Sequence, residues 1–304
     1  MKRDFLDITD LSAGEIHRLF SLAADLKKKQ KKGKAHPILK GKTLAMIFQK
    51  PSTRTRISFE TGMVQLGGHA IYISPDEMGL GKRETAADVA RVLSRYNDGI
   101  MARVFSHDLL AELARHASIP VINGLSDWSH PCQILGDMLT ILEHRGAFDG
   151  LKVAWIGDGN NVAHSWIHMA MRIPMELVLA CPAGFDPDKD LVAKANDAKT
   201  SRVRIVRNPL EAAEEADVLY TDVWASMGQE KEAARRKKAF KNFQVNDRLV
   251  EKAKPNVLVM HCLPAHRGEE ISESALEGPR SIVFDEAENR LHIQKAILVT
   301  LMKK

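Results

Sequence analysis
Residues 43–60 read TLAMIFQKPSTRTRISFE, and three kinds of chain follow one another there. Thr43 to Phe48 is a short apolar run bounded by turn signals, which reads as a buried strand. Ser52 and Thr53 then offer hydroxyls that can accept from the free N–H groups of a helix's first turn. Phe59, Met63 and Leu66 fall on one face of the helix that follows. Strand, turn and helix in that order make one unit of a parallel α/β sheet. Arg54 and Arg56 stand where a helix carries partial positive charge and prefers anions. A phosphate held between the dipole and a guanidinium fork would remove that conflict. For Ser52, Arg54 and Thr55 together the phosphate reading is preferred. For Arg56 an ion pair with Glu60 is an equal alternative. The stretch lacks GxxxxGK[ST], so a nucleotide is not implied.

The same alternation runs outward from this stretch. Upstream, Ser12 and Glu15 form a capping box ahead of Ile16, Leu19, Phe20, Ala23 and Leu26, which predicts an amphipathic helix. Downstream come HAIYIS (69–74), a polar loop (74–84), a helical TAADVARVLSRY (85–96), GIMARVF (99–105) and PVINGL (120–125). The segment 126–146 then carries Leu135, Met138, Leu139 and Leu142 as a helical stripe, with Gly146 as its stop. LKVAWIGDGNN (151–161) restarts a strand–turn–helix unit, and the later strands are MELVLAC, SRVRIV, DVLYTDV and NVLVMHC. SIVFDEAENRLHIQKAILVTLM ends the chain as a helix. The fold class is therefore α/β, with two domains, each a mostly parallel sheet flanked by helices. The predicted boundaries are 1–146 and 147–285, with a helix over 286–304 packing back on the first domain. The unusual polar sequences all follow strands, where open α/β sheets collect ligands. A shared cleft at the strand ends is the expected site.

At 304 residues the chain can build two ordinary cores, and 44% hydrophobic with 27% charged residues is a globular composition. The formal charge of +5 sits largely in LKKKQKKGK and ARRKKAFK. Those runs have no interleaved aromatic platforms and read as solvated faces, so no nucleic-acid partner is predicted. No apolar run approaches the roughly 18 residues of a membrane span. The N-terminus turns acidic too early for a signal peptide. Three unpaired cysteines, Cys132, Cys181 and Cys262, point to a reducing cytoplasm.

Four further clusters carry chemistry. In SHPCQ, His130 and Gln133 lie three residues apart at a helix mouth, with Pro131 suited to a first helical position. Both are neutral donors able to polarise a carbonyl, although capping alone would also explain His130. GDGNN has Val162 where a dinucleotide fingerprint needs its third glycine, so nicotinamide binding is set aside. Asn160 and Asn161 are then turn residues or an exposed amide at the cleft. Asp222, at a strand end in DVWASMGQE, suits an ammonium group or a cap. In MHCLPAHRGEEI, His261, Cys262 and His266 suggest a metal, but neighbours on a strand point to opposite faces, which argues against one.

Together these stretches resemble the aspartate/ornithine carbamoyltransferase family over essentially the whole chain. KPSTRTR matches its carbamoyl-phosphate loop and HPCQ its second carbamoyl-phosphate motif. DxWxSMG (222–228) and HCLP (261–264) mark the ornithine branch, and Arg290 in ENR also fits. The resemblance implies that Ser52, Thr53, Arg54, Thr55, Arg103, His130, Gln133 and Arg290 surround carbamoyl phosphate, with Cys262 and the Leu263 backbone beside its carbamoyl group. Arg54, Arg103, His130 and Cys262 would be the catalytic set. Asn161, Asp222, Ser226 and Met227 would bind L-ornithine. Arg56 is carried over only as a supporting residue. The family also implies a homotrimer with no metal or organic cofactor, and carbamoyl transfer from carbamoyl phosphate to ornithine, giving citrulline in arginine biosynthesis. A carbamoyltransferase for another amine, such as putrescine or an acylated ornithine, is the alternative. One departure is Gly79, where many relatives carry glutamine; Lys82 and Arg83 are candidates to compensate.

Overall fold
The protein is described from a computed structural model over residues 2–74, 84–225 and 230–303. It comprises two compact units, Met1–Leu139 with Glu288–Lys304, and Thr140–Ala287. The polar loop expected at 74–84 lies almost wholly outside the described residues.

In the first unit, α1 (Ala13–Lys31) opens on the Ser12–Glu15 capping box, and its five apolar residues Ile16, Leu19, Phe20, Ala23 and Leu26 are all buried. Four parallel strands follow, β1 (Thr43–Phe48), β2 (His69–Ile73), β3 (Gly99–Arg103) and β4 (Val121–Leu125). They are linked by α2 (Thr53–Gln65), α3 (Ala86–Tyr96) and α4 (His107–His116). The sheet order is β2-β1-β3-β4. Beyond β1 the chain runs to one side and beyond β3 to the other, so a topological switch point falls between them. Phe48 of β1 is in register with Arg103 of β3 at that point. One face of the sheet buries Ala45, Ile47, Ile100, Ala102 and Val121 against Val89, Ala90, Leu110 and Leu113.

The helix α5 (Pro131–Arg145) begins at Pro131, as its fixed φ favours, and stops at Gly146, whose φ is +81°. It differs from the stripe expected of it. Every residue from Pro131 to Ile141 is buried, including Gln133, Asp137 and Thr140, while Leu142 is only half-buried. A helix surrounded by protein must satisfy its polar side chains internally.

The second unit holds β5 (Lys152–Ile156), β6 (Glu176–Ala180), β7 (Arg202–Val206), β8 (Val218–Thr221) and β9 (Leu258–His261), in the parallel order β7-β6-β5-β8-β9. Its helices are α6 (Asn161–Ala170), α7 (Lys189–Asp197), α8 (Pro209–Ala213), α9 (Ala233–Phe240), α10 (Asp247–Lys252) and α11 (Glu273–Glu277). The switch point lies between β5 and β8. GDGNN follows one of these strands and Asp222 the other. The last helix, α12 (Val283–Met302), carries residues of both units.

Candidate active site
The first unit builds a cationic half-site at its switch point. Ser52 is the N-cap of α2 and accepts from the Thr55 N–H, so the TRTR segment lies in the first turn. Thr53 is the first helical residue, and Arg54 next to it is exposed. Thr55 is buried, and its Oγ1 accepts from Ser52 Oγ at 3.2 Å and from Arg290 Nη2 at 3.3 Å. Arg290 also donates through Nη1 to Gln133 Oε1. Gln133 Nε2 in turn donates to Asp137 Oδ1 at 2.7 Å. Arg103 is buried at the end of β3, where its carbonyl accepts from the Gln49 N–H at 2.8 Å.

His130 sits in this charged neighbourhood. Burial, then the guanidinium charges of Arg290, Arg103 and Arg54, hold its imidazole well below the usual histidine range. It is neutral at physiological pH, a hydrogen-bonding group and not a charge. Lys50 is lowered too, by burial and then by Arg103. Arg56 departs from the group: its Nε pairs with Glu60 at 2.9 Å and its guanidinium lies 4.0 Å over the Tyr72 ring. The two arginines of STRTR therefore have different surroundings.

The second unit builds a mixed half-site. Cys262 Sγ donates to Asp222 Oδ1 at 3.0 Å, and Asn160 Nδ2 donates to Asp222 Oδ2 at 2.8 Å. Asn160 also caps α6 through its Oδ1, so one amide both caps the helix and fixes the carboxylate. Asn161 opens the helix behind it. Leu263 has φ +55°, an uncommon conformation for a branched side chain. Its N–H donates to His261 Nδ1 at 2.8 Å, which places the ring proton on Nε2, 3.1 Å from the buried Glu270 Oε1. Glu286 accepts from the His261 N–H at 3.0 Å. Two buried carboxylates thus secure the end of β9.

The opposite-face argument against a metal at His261 and Cys262 fails, because β9 ends at His261. Ligand atoms of Asp222, His261 and Cys262 lie within 4.8 Å of one another. Both ring nitrogens of His261 are nevertheless engaged, one by Leu263 and one by Glu270, so it has no lone pair for an ion. Ser226 and Met227, like Gly79, Lys82 and Arg83, lie outside the described residues.

The sequence missed Asp137, Asp158, Arg236 and Glu270. Arg236 lies in a basic run with the composition of a solvated face, yet it is buried, 2.7 Å from Asp158 and 2.9 Å from the Trp224 carbonyl oxygen. Its i,i+4 spacing from Glu232, at 3.2 Å, was the one available signal. Cys132 and Cys181 are buried free thiols, the first pushed up to about 12 by burial.

A two-unit parallel α/β chain with an anion-ready helix terminus in one unit and a fixed carboxylate in the other has the parts of a group-transfer enzyme for an anionic donor and a cationic acceptor. Residues 3–143 match the model of the carbamoyl-P binding domain of aspartate/ornithine carbamoyltransferase, and residues 149–301 match that of its Asp/Orn binding domain. The chain belongs to the aspartate/ornithine carbamoyltransferase family. It is 54% identical to ornithine carbamoyltransferase of Syntrophus aciditrophicus over 99% of this chain and 100% of that protein. It is also 54% identical to that of Methanosarcina mazei over the full length of both. The solved ornithine carbamoyltransferase of Pyrococcus furiosus superposes with a TM-score of 0.95 at 52% identity, covering 99% of this chain and 97% of the other. No helix among the described residues is long and apolar enough to cross a membrane.

Proposed function
We propose that the protein transfers the carbamoyl group of carbamoyl phosphate to the side-chain amine of L-ornithine, releasing L-citrulline and phosphate. The observation that carries this reading is the neutral His130 among Arg54, Arg103 and Arg290 beside the N-terminus of α2. Such a group binds a dianionic phosphate while keeping one uncharged donor for a carbonyl oxygen. Ser52, Thr53, Arg54 and Thr55 hold the phosphate, with Arg103 and Arg290. Gln133 belongs to the same half-site. Cys262 and the Leu263 backbone flank the carbamoyl group, and Asn161, Asp222, Ser226 and Met227 hold ornithine.

Ornithine's amine has a solution pKa of roughly 10.4, so it must release a proton to solvent before it attacks. Asp222, already held by Cys262 and Asn160, orients an ammonium group and does not serve as the base. The amine's lone pair attacks the carbamoyl carbon and an oxyanion forms. Thr55, Arg103 and His130 stabilise it, at about 2.7–4 kcal/mol per donor in comparable sites. The bond from carbon to the phosphate oxygen then breaks, and the departing phosphate takes the amine's proton. Arg54 and the helix terminus stabilise that phosphate.

The proposed setting is arginine biosynthesis in the cytoplasm, by a homotrimer. Ile57 and Val64, seven residues apart on α2, and Ile71 on the edge strand β2 are exposed apolar side chains that support self-association. Citrulline formation from carbamoyl phosphate and ornithine tests the activity, with putrescine and acylated ornithine as competing acceptors. Absence of citrulline, or faster turnover of either competitor, would refute the assignment.

A further inference from the structure
We propose that Asp137 is a positioning residue for Arg290, acting through Gln133 as a one-way hydrogen-bond relay. The inference rests on the reading of the first unit's half-site as the carbamoyl-phosphate site. Asp137, Gln133, Arg290 and Thr55 are all buried, at 0, 1, 5 and 1% exposure. The relay has a direction that follows from the groups themselves. Asp137 Oδ1 takes the Gln133 Nε2–H at 2.7 Å. The amide is thereby turned so that its Oε1 faces Arg290 Nη1, which only donates. Arg290 is then left with Nη2 on Thr55 Oγ1 at 3.3 Å, at the start of α2.

A carboxamide has two ends that differ little in shape and oppositely in polarity. The flipped amide would set donor against donor at Arg290 and acceptor against acceptor at Asp137, so the two neighbours select the same orientation from opposite ends. The helix spacing supports the arrangement. Gln133 and Asp137 are one turn apart on α5, and Gly136 between them brings the backbone close to α12, since a Cβ there would lie 3.4 Å from Arg290 Cδ. Gln133 accordingly acts by aiming Arg290, and Asp137 secures the far end of its amide.

The test is a polarity-reversal cycle with Asp137→Asn, Gln133→Glu and the double variant. Asp137→Asn replaces an acceptor with a group that can donate, and is expected to raise the carbamoyl-phosphate KM about tenfold, with ornithine KM changed less than about twofold. Gln133→Glu alone sets two carboxylates together and is expected to be at least as impaired. In the double variant the new amide donates to the new carboxylate, which accepts from Arg290. Its KM should lie well below the product of the two single effects, and below that of Gln133→Glu alone.

Thermal unfolding of all four proteins without ligand reads the same cycle independently of turnover: the double variant should be more stable than the sum of the singles predicts. A double variant no better than additive in both measurements overturns the relay. If the wild type makes no citrulline, the proposed function fails and the unfolding cycle still decides the relay.

Discussion
Arg54 carries the sharpest expectation. It stands in the first turn of α2, exposed, close enough to lower the basicity of His130. Its position is electrostatically unfavourable until an anion is bound. Arg54→Ala should therefore leave thermal stability unchanged or slightly raised, while kcat/KM for carbamoyl phosphate falls by about 100-fold or more. Steady-state kinetics with carbamoyl phosphate varied would check this, and a variant within about threefold of wild type would remove Arg54 from the transition state. Arg56, held by Glu60 and Tyr72, offers a matched control that should lose far less activity.

At the scale of elements, α12 contains a charge that packing alone would not select. Lys295 is fully buried and bonds to Gln65 Oε1 at 2.8 Å, with Gln30 Oε1 and His36 Nε2 at 3.5 and 3.4 Å. All three partners are uncharged groups or a histidine, and burial lowers its ammonium to about 8. The folded pKa lies below the unfolded value near 10.4, so the unfolded chain binds more protons between them. Stability should therefore rise as pH increases from about 8 to about 10.4. Lys295→Met removes that rise and should stabilise the protein at pH 7 by about 1 kcal/mol, after allowance for the unpaired Gln65. Chemical denaturation at pH 7 and pH 10 reads both effects. Equal pH dependence in variant and wild type would count against them.

For the molecule as a whole, the second unit depends on a buried ion pair that spans distant chain segments. Arg236 of α9 joins Asp158, beyond β5, to the Trp224 carbonyl beyond β8, with its guanidinium 5.0 Å from the Phe185 ring. Burial raises Asp158 in spite of Arg236, so desolvation outweighs the pairing. Removing the partner alone then leaves an uncompensated buried carboxylate. Arg236→Met should cost about 3–5 kcal/mol, and adding Asp158→Asn should return a large part of it. The unfolding midpoints of the three proteins decide the matter; equal destabilisation by the single and double variants would refute the account.

The strands and helices were legible in the chain because their signals are local. TLAMIF, the Ser12–Glu15 box, Pro131 and Gly146 each act within one turn or one pleat, and each appears where those rules put it. The α5 stripe misled because hydrophobic periodicity reports which face is apolar, not whether the other face is also covered. Asn160 and Asn161 were indistinguishable as letters. Only the cap geometry showed that the Asn160 amide reaches Asp222.

The sequence by itself determined the parallel α/β architecture, the order of its units and the family to which the chain belongs. Those depend on periodicity, turn chemistry and contiguous motifs, all of them short-range. Tertiary structure alone decided that His130 is neutral, that Arg56 turns away while Arg290 joins Gln133 and Thr55, and that Arg236 is buried. Protonation and pairing depend on desolvation and on charges brought together from positions as far apart as 55 and 290, and no local pattern encodes that distance.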